Sequence, residues 1–386
     1  MRILFVAPRF HTNQFAITKY LVQNGHEVLF LVSRRGETED YSYINPIVCK
    51  ENWIYKRYEN FKFPNSSISK ENFRIGHFIP SFRFLLSKMK TFKPDIVISR
   101  DRTFFTIITL FVAFLCSVKC KLLYVQSPLY RDYRSFFSKL VFSLFNLIVP
   151  FDGVITPVKY KNSTIKKNEV YKEKKYYFVP LVVDEKQSIE SRTYFNSSKI
   201  NILDVGKYRS YKNHYVLIDA LTLLRKDILS NVHVTIAGQA VCREEEIYYT
   251  NLQKYIKAKG LDKIVTLKCN LPFNAMEYEY LSNDIFILTS KLELCSVAVV
   301  EAMSYGLYTI STSMNGTATY VKDAAGAIFT SEDPHNLADI LNDVCSSKSK
   351  ITNGGFNAYT ISKENYSPAA YWNLILSIYN KEPIEL

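Results

Sequence analysis

Residues 2–32, with the sequence RILFVAPRFHTNQFAITKYLVQNGHEVLFLV, predict a strand, a helix and a second strand in that order. The first six residues are a short apolar run, a helical segment follows and stops at Gly25, and residues 26–32 are apolar again. A strand, a helix and a strand within about thirty residues form a βαβ unit, whose crossover is right-handed and whose strands are parallel. The first half of the chain is therefore predicted to be a doubly wound α/β domain. Its further predicted strands are 95–98, 122–125 and 153–156.

The same pattern starts again after a polar, serine-rich stretch that ends at Lys199 and suits an inter-domain linker. A last helix is predicted to begin at Pro368, with Ser367 as its N-cap. We therefore predict domains at 1–182 and 183–366, with a C-terminal helix in 367–386 that packs back on the first domain. The predicted strands of the second domain are 200–205, 232–237, 264–267, 285–288 and 308–311.

The composition indicates a folded protein with an anionic partner. At 386 residues and 47% hydrophobic residues, the chain has enough apolar surface for two large cores, which excludes intrinsic disorder. No leader is expected before the first strand, and the seven scattered cysteines are expected to be reduced core residues of a cytoplasmic protein. The six histidines do not cluster, so no protein-bound metal is expected. The net charge of +13 favours nucleic acid, a membrane surface or a phosphorylated substrate.

The stretch SKLELCSVAVVEAMSYG, residues 290–306, places two carboxylates around one helix N-terminus. Ser296 is the expected N-cap, Glu301 lies in the first turns, Gly306 ends the helix, and Glu293 lies in the preceding loop. A helix N-terminus at the carboxyl end of a strand binds phosphate, and a carboxylate can accept hydrogen bonds from ribose hydroxyls. From the spacing alone, a solvated loop glutamate and a helix glutamate stabilised by the dipole explain the pattern equally well.

These residues resemble the signature of the family 4 (group 1) retaining glycosyltransferases of the GT-B fold. The family has two glutamates separated by seven residues, followed by Ala-Met, a small residue and Gly. The resemblance implies that Glu293 lies near the transferred sugar and that Glu301 binds the nucleotide ribose. Cys295 and Ser296 stand where many members have Phe-Gly, so the resemblance implies donor contacts at Ser296 and Val297.

A second stretch, VGKYRSYKN at residues 205–213, resembles the donor-phosphate loop of the same family. Lys207, in place of the commoner arginine, and Lys212 would neutralise the donor diphosphate and stabilise it as it leaves. Gly206 belongs to the same motif, and Arg209 is a weaker phosphate candidate. Gly238, after the next predicted strand, is a further donor-side landmark. Without the resemblance, two loop lysines are more often solvated.

The first loop, residues 8–14, lacks the Gly-Gly pair of many family members, so Asn13 and Gln14 are expected to contact the donor instead. His11, a weak acceptor-side candidate, is expected to be a loop histidine rather than a base. Gln126 and Ser127 stand where some relatives have a histidine at the reaction centre, which makes them weak acceptor-side candidates. No catalytic base is assigned in the first domain.

The resemblance implies two Rossmann-like domains facing a central cleft, with an acceptor-binding first domain and a nucleotide-sugar-binding second domain. It implies transfer from a nucleotide-sugar, expected to be a UDP-sugar, to a glycan or lipid-linked acceptor with retention of anomeric configuration and without a metal cofactor. Bacterial surface-polysaccharide synthesis is the expected context. The alternatives are an epimerase or phosphorylase on the same fold, or a basic nucleic-acid-binding protein; no named nucleic-acid-binding module is present.

A membrane-facing surface is a further possibility. Residues 103–118 are strongly apolar but shorter than the roughly 20 residues that span a bilayer, so a buried helix is expected rather than an inserted one. Residues 136–150 are apolar again. They precede a lysine cluster, which suits either docking on the cytoplasmic face of an anionic membrane or a solvated surface. The cluster consists of Lys159, Lys161, Lys166, Lys167, Lys172, Lys174 and Lys175.

Overall fold

The computed structural model describes residues 1–36, 39–64, 73–74, 76–100, 103–126, 149–158, 176–184, 189 and 192–383. They form two compact units, one of Met1–Asp184 with Pro368–Leu386 and the other of Glu185–Ser367. Most of the apolar stretch at 136–150 and the whole predicted lysine cluster lie outside the described residues.

The first unit contains a seven-stranded parallel sheet with strand order β3-β2-β1-β4-β5-β6-β7, so the predicted doubly wound fold is confirmed. The order reverses between β1 and β4, which makes this the topological switch point of the sheet. The strands are β1 (Arg2–Ala7), β2 (Glu27–Val32), β3 (Ile47–Val48), β4 (Ile96–Arg100), β5 (Cys120–Tyr124), β6 (Gly153–Thr156) and β7 (Tyr176–Phe178). The helices described before the second unit are α1 (Thr12–Gln23), α2 (Trp53–Lys62), α3 (Phe82–Phe92) and α4 (Phe104–Leu115).

The second unit contains a six-stranded parallel sheet with strand order β10-β9-β8-β11-β12-β13 and a switch point between β8 and β11. Its strands are β8 (Ile200–Val205), β9 (Val232–Gly238), β10 (Val265–Cys269), β11 (Ile285–Leu288), β12 (Tyr308–Thr312) and β13 (Gly326–Phe329). Its helices are α5 (His214–Thr222), α6 (Lys226–Asn231), α7 (Arg243–Ala258), α8 (Phe273–Ser282), α9 (Val297–Ser304), α10 (Pro334–Cys345) and α11 (Lys348–Asn365).

The last helix, α12 (Pro368–Asn380), belongs to the first unit and packs against α1. Trp372 and Ile375 are buried in the same core as Leu21 of α1, and the Trp372 ring meets the His26 ring edge-on at 4.8 Å. The C-terminal helix packs on the first unit, as predicted, because burying the aromatic and branched side chains of its apolar face is favourable.

Helix α4 is only half buried, so the expectation of a buried helix is wrong for one of its faces. Phe105, Leu110 and Val112 lie in the core, whereas one side of the helix leaves four apolar side chains 43–53% exposed. These four residues, called the α4 face below, are Phe104, Phe111, Phe114 and Leu115. Across the described ranges, no helix combines the length and the hydropathy that a membrane span needs.

All seven cysteines are free thiols. Only Cys49, Cys120 and Cys345 are buried, whereas the other four are half-buried. The expectation of reduced cysteines therefore agrees with the structure, but the expectation that all of them lie in the core is wrong.

Candidate functional site

The candidate site lies at the switch point of the second sheet, where the loops after β8 and β11 meet. The two strands are neighbours, with Ile287 opposite Asp204, so the loops that follow them leave the sheet side by side. The loop after β8 contains a short 3-10 helix, Ser210–Lys212, and then Asn213, whose φ of 54° is left-handed. Asparagine is one of the few residue types that tolerate this conformation. The chain can therefore turn directly from the 3-10 helix into α5.

Lys212 and Glu293, two of the predicted catalytic residues, are in direct contact. The Lys212 ammonium donates a hydrogen bond to Glu293 Oε2, and the Ser290 hydroxyl donates to the same oxygen at 3.3 Å. The two charged side chains are 13% and 18% exposed, so the pair is largely withdrawn from water. Reduced solvation strengthens the attraction but also makes either charge costly to leave unpaired.

The loop that holds Glu293 is fixed by backbone hydrogen bonds on both sides. The Glu293 N–H donates to the Met314 carbonyl at 3.0 Å, and the Gly316 N–H donates to the Glu293 carbonyl at 3.0 Å. On the other side, the Lys291 N–H donates to the Tyr211 carbonyl at 2.8 Å. The Glu293 carboxylate is thus held by ordered backbone rather than by a free loop.

Buried polar side chains hold the backbone of Lys212, and the sequence analysis did not predict them. The Thr289 hydroxyl lies 2.8 Å from the Lys212 carbonyl oxygen and 3.1 Å from Asp204 Oδ2. The same Asp204 oxygen lies 3.1 Å from Nδ1 of the fully buried His214. The available signal was Asp204 within the mostly apolar strand sequence INILDV at 200–205, because a buried carboxylate requires hydrogen-bond partners.

Glu301 is positioned by a second residue that the sequence did not indicate, Tyr280 of α8. The Tyr280 hydroxyl donates to Glu301 Oε2 at 2.8 Å, and its ring stacks on Tyr305 with 5.0 Å between the ring centroids. Burial, followed by the charge of Glu301, raises the pKa of Tyr280 well above its usual value. The hydroxyl therefore stays protonated and directs its hydrogen at the carboxylate. Nothing in the spacing of the two residues, which are 21 positions apart, predicts this contact.

Ser296 is at the N-cap of α9, as predicted, but its side chain makes no capping hydrogen bond. Its backbone N–H instead donates to the Thr317 hydroxyl at 3.3 Å. The predicted capping by the serine hydroxyl is therefore wrong, because Thr317 fixes this end of the loop. Val297 is the first residue of α9. The donor contacts expected at Ser296 and Val297 stay predictions.

Two glycines allow the phosphate-loop candidates to lie close to the sheet. A Cβ on Gly238 would lie 2.2 Å from the Gly206 carbonyl oxygen, so β9 could not approach the β8 loop with any larger residue. A Cβ on Gly206 would lie 3.1 Å from Cδ of Lys212, whose aliphatic stem passes over this glycine. Close packing thus explains why both positions are glycine, whether or not they also bind the donor.

The other basic residues of this loop differ in their surroundings. Arg209 donates from Nε to the fully buried Glu245 at 2.6 Å, and Glu245 also accepts the Val241 N–H at 2.8 Å. The Arg209 guanidinium thus braces α7, which leaves its predicted phosphate role untested. Lys207 is exposed at the start of the loop.

In the first unit, His11, Asn13 and Gln14 form the start of α1. His11 is the N-cap residue, and its N–H donates to Gln14 Oε1 at 3.0 Å, so the Gln14 side chain takes part in capping. Burial, and then the charges of nearby arginines, lowers the pKa of His11 to about 3. The His11 imidazole is therefore neutral near pH 7 and is only a weak base. This agrees with the prediction that His11 is not a catalytic base.

Asn13 and Gln14 line a small cavity together with Arg100 at the end of β4. Asn13 Oδ1 is buried and accepts no hydrogen bond from the part of the chain that the structure describes. Gln126 Oε1 accepts from Arg100 Nη2 at 2.7 Å. Ser127, the other acceptor-side candidate, lies outside the described residues. Within the described ranges, no group of three or more His, Cys, Asp or Glu side chains could hold a metal ion.

A family comparison matches the second unit, and a comparison with characterised proteins matches part of the chain. The model of the family described as glycosyl transferases group 1 matches residues 185–360. Mannosylfructose-phosphate synthase of Agrobacterium fabrum (strain C58 / ATCC 33970) is 24% identical over 164 residues, 42% of this chain. That match covers 35% of the synthase, so the chain matches about a third of this relative's length.

Solved structures match over the whole chain. A glycosyltransferase from Rickettsia africae ESF-5 is 16% identical, with a TM-score of 0.71 and coverage of 98% of both chains. Anabaena HepE in complex with UDP is 13% identical, with a TM-score of 0.72 and coverage of 99% of this chain and all of HepE. The lipopolysaccharide outer core galactosyltransferase WaaB is 17% identical, with a TM-score of 0.67 and 99% coverage of both. At these identities the likeness establishes the fold. The family model of group 1 glycosyl transferases thus matches the second unit, and the solved structures show that the chain has the GT-B fold.

Proposed function

We propose that this protein transfers a sugar from a UDP-sugar to a glycan or lipid-linked acceptor with retention of anomeric configuration. The observation that carries the proposal is the Lys212–Glu293 pair at the switch point of the second sheet, with Glu301 on the helix that follows. The edge of a parallel sheet at its switch point is where open α/β domains bind ligands. The family match of the second unit and the UDP complex of HepE support the choice of donor.

In this proposal Lys212 meets the donor diphosphate. An entering diphosphate competes with Glu293 for the Lys212 ammonium, and its greater negative charge favours the exchange. Lys207, exposed at the start of the same loop, adds a second cation. The two ammonium groups stabilise the charge that develops on the leaving diphosphate, which is the largest electrostatic change of the reaction.

Glu293, once its partner has turned to the diphosphate, accepts hydrogen bonds from hydroxyls of the donor sugar. Its loop is fixed by the Met314 and Gly316 backbone, so its carboxylate does not need to be ordered when the donor arrives. Glu301, oriented by Tyr280, accepts hydrogen bonds from the ribose hydroxyls. Each glutamate then binds one part of the donor.

Retention follows from the use of the donor itself as a base. A departing diphosphate oxygen lies on the face of the sugar that it leaves, where it can take the proton of an acceptor hydroxyl that attacks from the same face. His11, with a pKa of about 3, would hold a proton too weakly to do so near neutral pH. The proposal also includes metal independence, because the lysines supply the positive charge at the diphosphate. Turnover in excess EDTA equal to turnover without it would support this part, and loss of turnover would refute it.

We extend the proposal to an acceptor on an anionic membrane face, in surface-polysaccharide synthesis. The α4 face presents three phenylalanines and a leucine to solvent, and Lys90 and Lys93 line a surface depression together with Leu115 of that face. Apolar side chains beside lysines favour binding to anionic lipid surfaces. WaaB, a lipopolysaccharide galactosyltransferase of the same fold, supports the polysaccharide context.

Vesicle co-sedimentation tests the membrane part. Vesicles that contain phosphatidylglycerol should retain the wild type and lose the Phe111→Ser/Phe114→Ser variant. Val241→Ser, a change of an exposed apolar residue in the second unit, is the matched control and should bind like the wild type. Equal binding of all three proteins would contradict a role of the α4 face.

A thermal-shift screen of UDP-, GDP-, ADP- and CMP-sugars tests the central part. A ligand at 100 times its Kd stabilises the folded state by about 2.7 kcal/mol. We expect a shift with UDP-sugars that is lost in Glu301→Ala and kept in Glu364→Ala, an exposed glutamate of α11. The anomeric configuration of the product, read by NMR, then tests retention. No shift with any nucleotide-sugar would refute the proposed function.

A further inference from the structure

The carboxyl ends of α8 and α9, the helices that carry Tyr280 and Glu301, are bound by one guanidinium group. Arg192 Nη1 donates to the Tyr305 carbonyl at 2.7 Å and to the Tyr280 carbonyl at 3.3 Å, and Nη2 donates to the Asn283 carbonyl. Asn283 is the C-cap residue of α8, and Tyr305 is the C-cap residue of α9. The last four carbonyls of a helix have no partner within it and carry partial negative charge, so a cation is favoured there.

Arg192 is itself held against the end of α9 by its neighbours. Its Cζ lies 4.6 Å from the centroid of the Tyr194 ring, and the Tyr194 hydroxyl donates to the Gly306 carbonyl at 2.7 Å. Gly306 has a φ of 72°, and a Cβ there would lie 3.2 Å from Arg192 Cδ and 2.4 Å from Ile189 Cδ1. Only glycine combines this backbone conformation with so close an approach, so Arg192 has a fixed place in the second unit.

Two stacked tyrosine rings connect Arg192 to Glu301. Two of the carbonyls that Arg192 binds belong to Tyr280 and Tyr305, whose ring centroids are 5.0 Å apart. The Tyr305 hydroxyl donates to Glu277 of α8 at 3.2 Å, so Tyr305 is held at its backbone and at the tip of its ring. The Tyr280 hydroxyl donates to Glu301 Oε2 at 2.8 Å. The guanidinium group therefore fixes the backbone of the tyrosine that orients the Glu301 carboxylate.

We infer that Arg192 is a positioning residue for recognition of the donor ribose. It holds the ends of α8 and α9 together, so that the Glu301 carboxylate is already in place when the ribose hydroxyls arrive. Arginine suits this task because its planar group presents several N–H donors in a fixed geometry, whereas a lysine ammonium is a point charge on a flexible stem. The inference rests on the proposed function, in which Glu301 binds the ribose.

Calorimetric titration of the full-length protein with UDP and with 2′,3′-dideoxy-UDP tests the inference. The dideoxy nucleotide lacks both hydroxyls that Glu301 is proposed to bind, so the wild type should bind UDP at least tenfold more tightly. Arg192→Met should lose most of this preference by binding UDP more weakly, with the Kd for dideoxy-UDP changed less than twofold. A loss of stability alone would leave the ratio of the two Kd values unchanged. Arg225→Met, which alters an exposed arginine 3.1 Å from Asp227 in the same unit, should keep the wild-type ratio.

Two further variants test the route through Tyr280. Arg192→Met/Tyr280→Phe should lose no more of the UDP preference than the more affected single variant, because both changes act on the same carboxylate. Single-variant losses that multiply in the double variant would show that Arg192 acts by another route and would contradict the inference. Arg192→Lys keeps the charge and should have an intermediate preference for UDP. It replaces Arg192→Met if thermal unfolding shows that the methionine variant does not fold, and a wild-type preference in Arg192→Lys would then count against the inference.

A measurement without nucleotide separates failure of this inference from failure of the proposed function. In protein labelled with ¹³C-tyrosine, the ring signals of Tyr280, assigned with Tyr280→Phe, should move in Arg192→Met and stay in place in Arg225→Met. A wild type that binds neither nucleotide, or binds both equally, would refute ribose binding by Glu301, and the Tyr280 signals would then decide the positioning role alone. Unchanged Tyr280 signals in Arg192→Met, or a preference for UDP that survives in this variant, would overturn the inference.

Discussion

Removing the Lys212 ammonium should lower both stability and turnover. A second substitution, at Glu293, should restore stability but not turnover. Lys212→Met keeps the aliphatic stem over Gly206 and leaves the Glu293 carboxylate without its cation. A fully buried unpaired charge costs about 3–5 kcal/mol, and an exposed pair contributes about 0–1 kcal/mol. With side chains 13% and 18% exposed, we expect an intermediate loss of about 1–2 kcal/mol.

The double variant Lys212→Met/Glu293→Gln removes both charges and should regain most of that stability. Turnover should not recover, because the cation at the leaving diphosphate is still missing. One lost group that stabilises developing charge lowers kcat by about 10² to 10³. The pair of measurements thus distinguishes a residue that only holds the loop from one that acts on the donor.

Thermal unfolding and UDP-sugar turnover are the assays. A loss of 1–2 kcal/mol in a unit of this size lowers Tm by roughly 2–8 °C. Lys254→Met, an exposed lysine of α7, is the control and should change neither Tm nor kcat. Wild-type Tm and kcat in Lys212→Met, or a double variant that regains turnover together with stability, would contradict a role of Lys212 at the leaving diphosphate.

Three further outcomes are expected. Tyr280→Phe removes the hydrogen bond to Glu301 and should raise the Kd for UDP by about tenfold, since hydrogen bonds to charged groups contribute about 1.5–3 kcal/mol. The control Tyr278→Phe, on the exposed side of α8, should leave the Kd for UDP unchanged. The pKa of His11 is lowered from 6.5 to about 3 in the folded state, so the contribution of its neutral form to stability is present above pH 6.5 and is lost as pH falls. Between pH 7 and 5.5, denaturant unfolding should show the wild type losing about 1 kcal/mol of stability relative to His11→Asn. Parallel pH curves for the two proteins would contradict this. Gly238→Ala should destabilise the protein by about 1–3 kcal/mol and weaken UDP binding, because its Cβ would meet the Gly206 carbonyl at 2.2 Å; an unchanged Tm would show that β9 can move away.

Most strands could be predicted from the sequence because a buried parallel strand must be a short apolar run. Stretches such as 200–205 and 285–288 have that form, and they are β8 and β11. The strands that were missed carry weaker signals. β3 has two residues and β7 has three, which are too few for a periodic pattern. β13, with the sequence GAIF, begins at a glycine and has two side chains that are not fully buried.

The two faces of α4 show that an apolar composition does not predict which side of a helix is buried. A segment that is apolar on all sides predicts a buried helix, but burial depends on what packs against each side. Phe105 and Leu110 find partners in the core, whereas Phe111 and Phe114 on the other side are about half exposed. The sequence contains the apolar residues but not the neighbours that would cover them.

The candidate site could be predicted only in part. Resemblance brought Lys212 and Glu293 to notice, but they are 81 positions apart, and their contact follows from β8 and β11 being neighbours in the sheet. Tyr280 had no sequence signal, because a buried tyrosine hydroxyl usually finds a hydrogen-bond partner but the sequence does not indicate which one. Ser296 was predicted as a capping side chain, and the Thr317 hydroxyl, from the next loop, binds its backbone instead.

Calorimetric titration of the wild type and Lys212→Met with UDP and UMP measures whether Lys212 meets the donor diphosphate. The two nucleotides differ by the phosphate that the lysines are proposed to meet. The wild type should bind UDP at least tenfold more tightly than UMP, a difference of about 1.4 kcal/mol, and Lys212→Met should lose most of that preference. Equal affinity for UDP and UMP in the wild type, or a preference that survives in Lys212→Met, would contradict donor binding at the Lys212–Glu293 site.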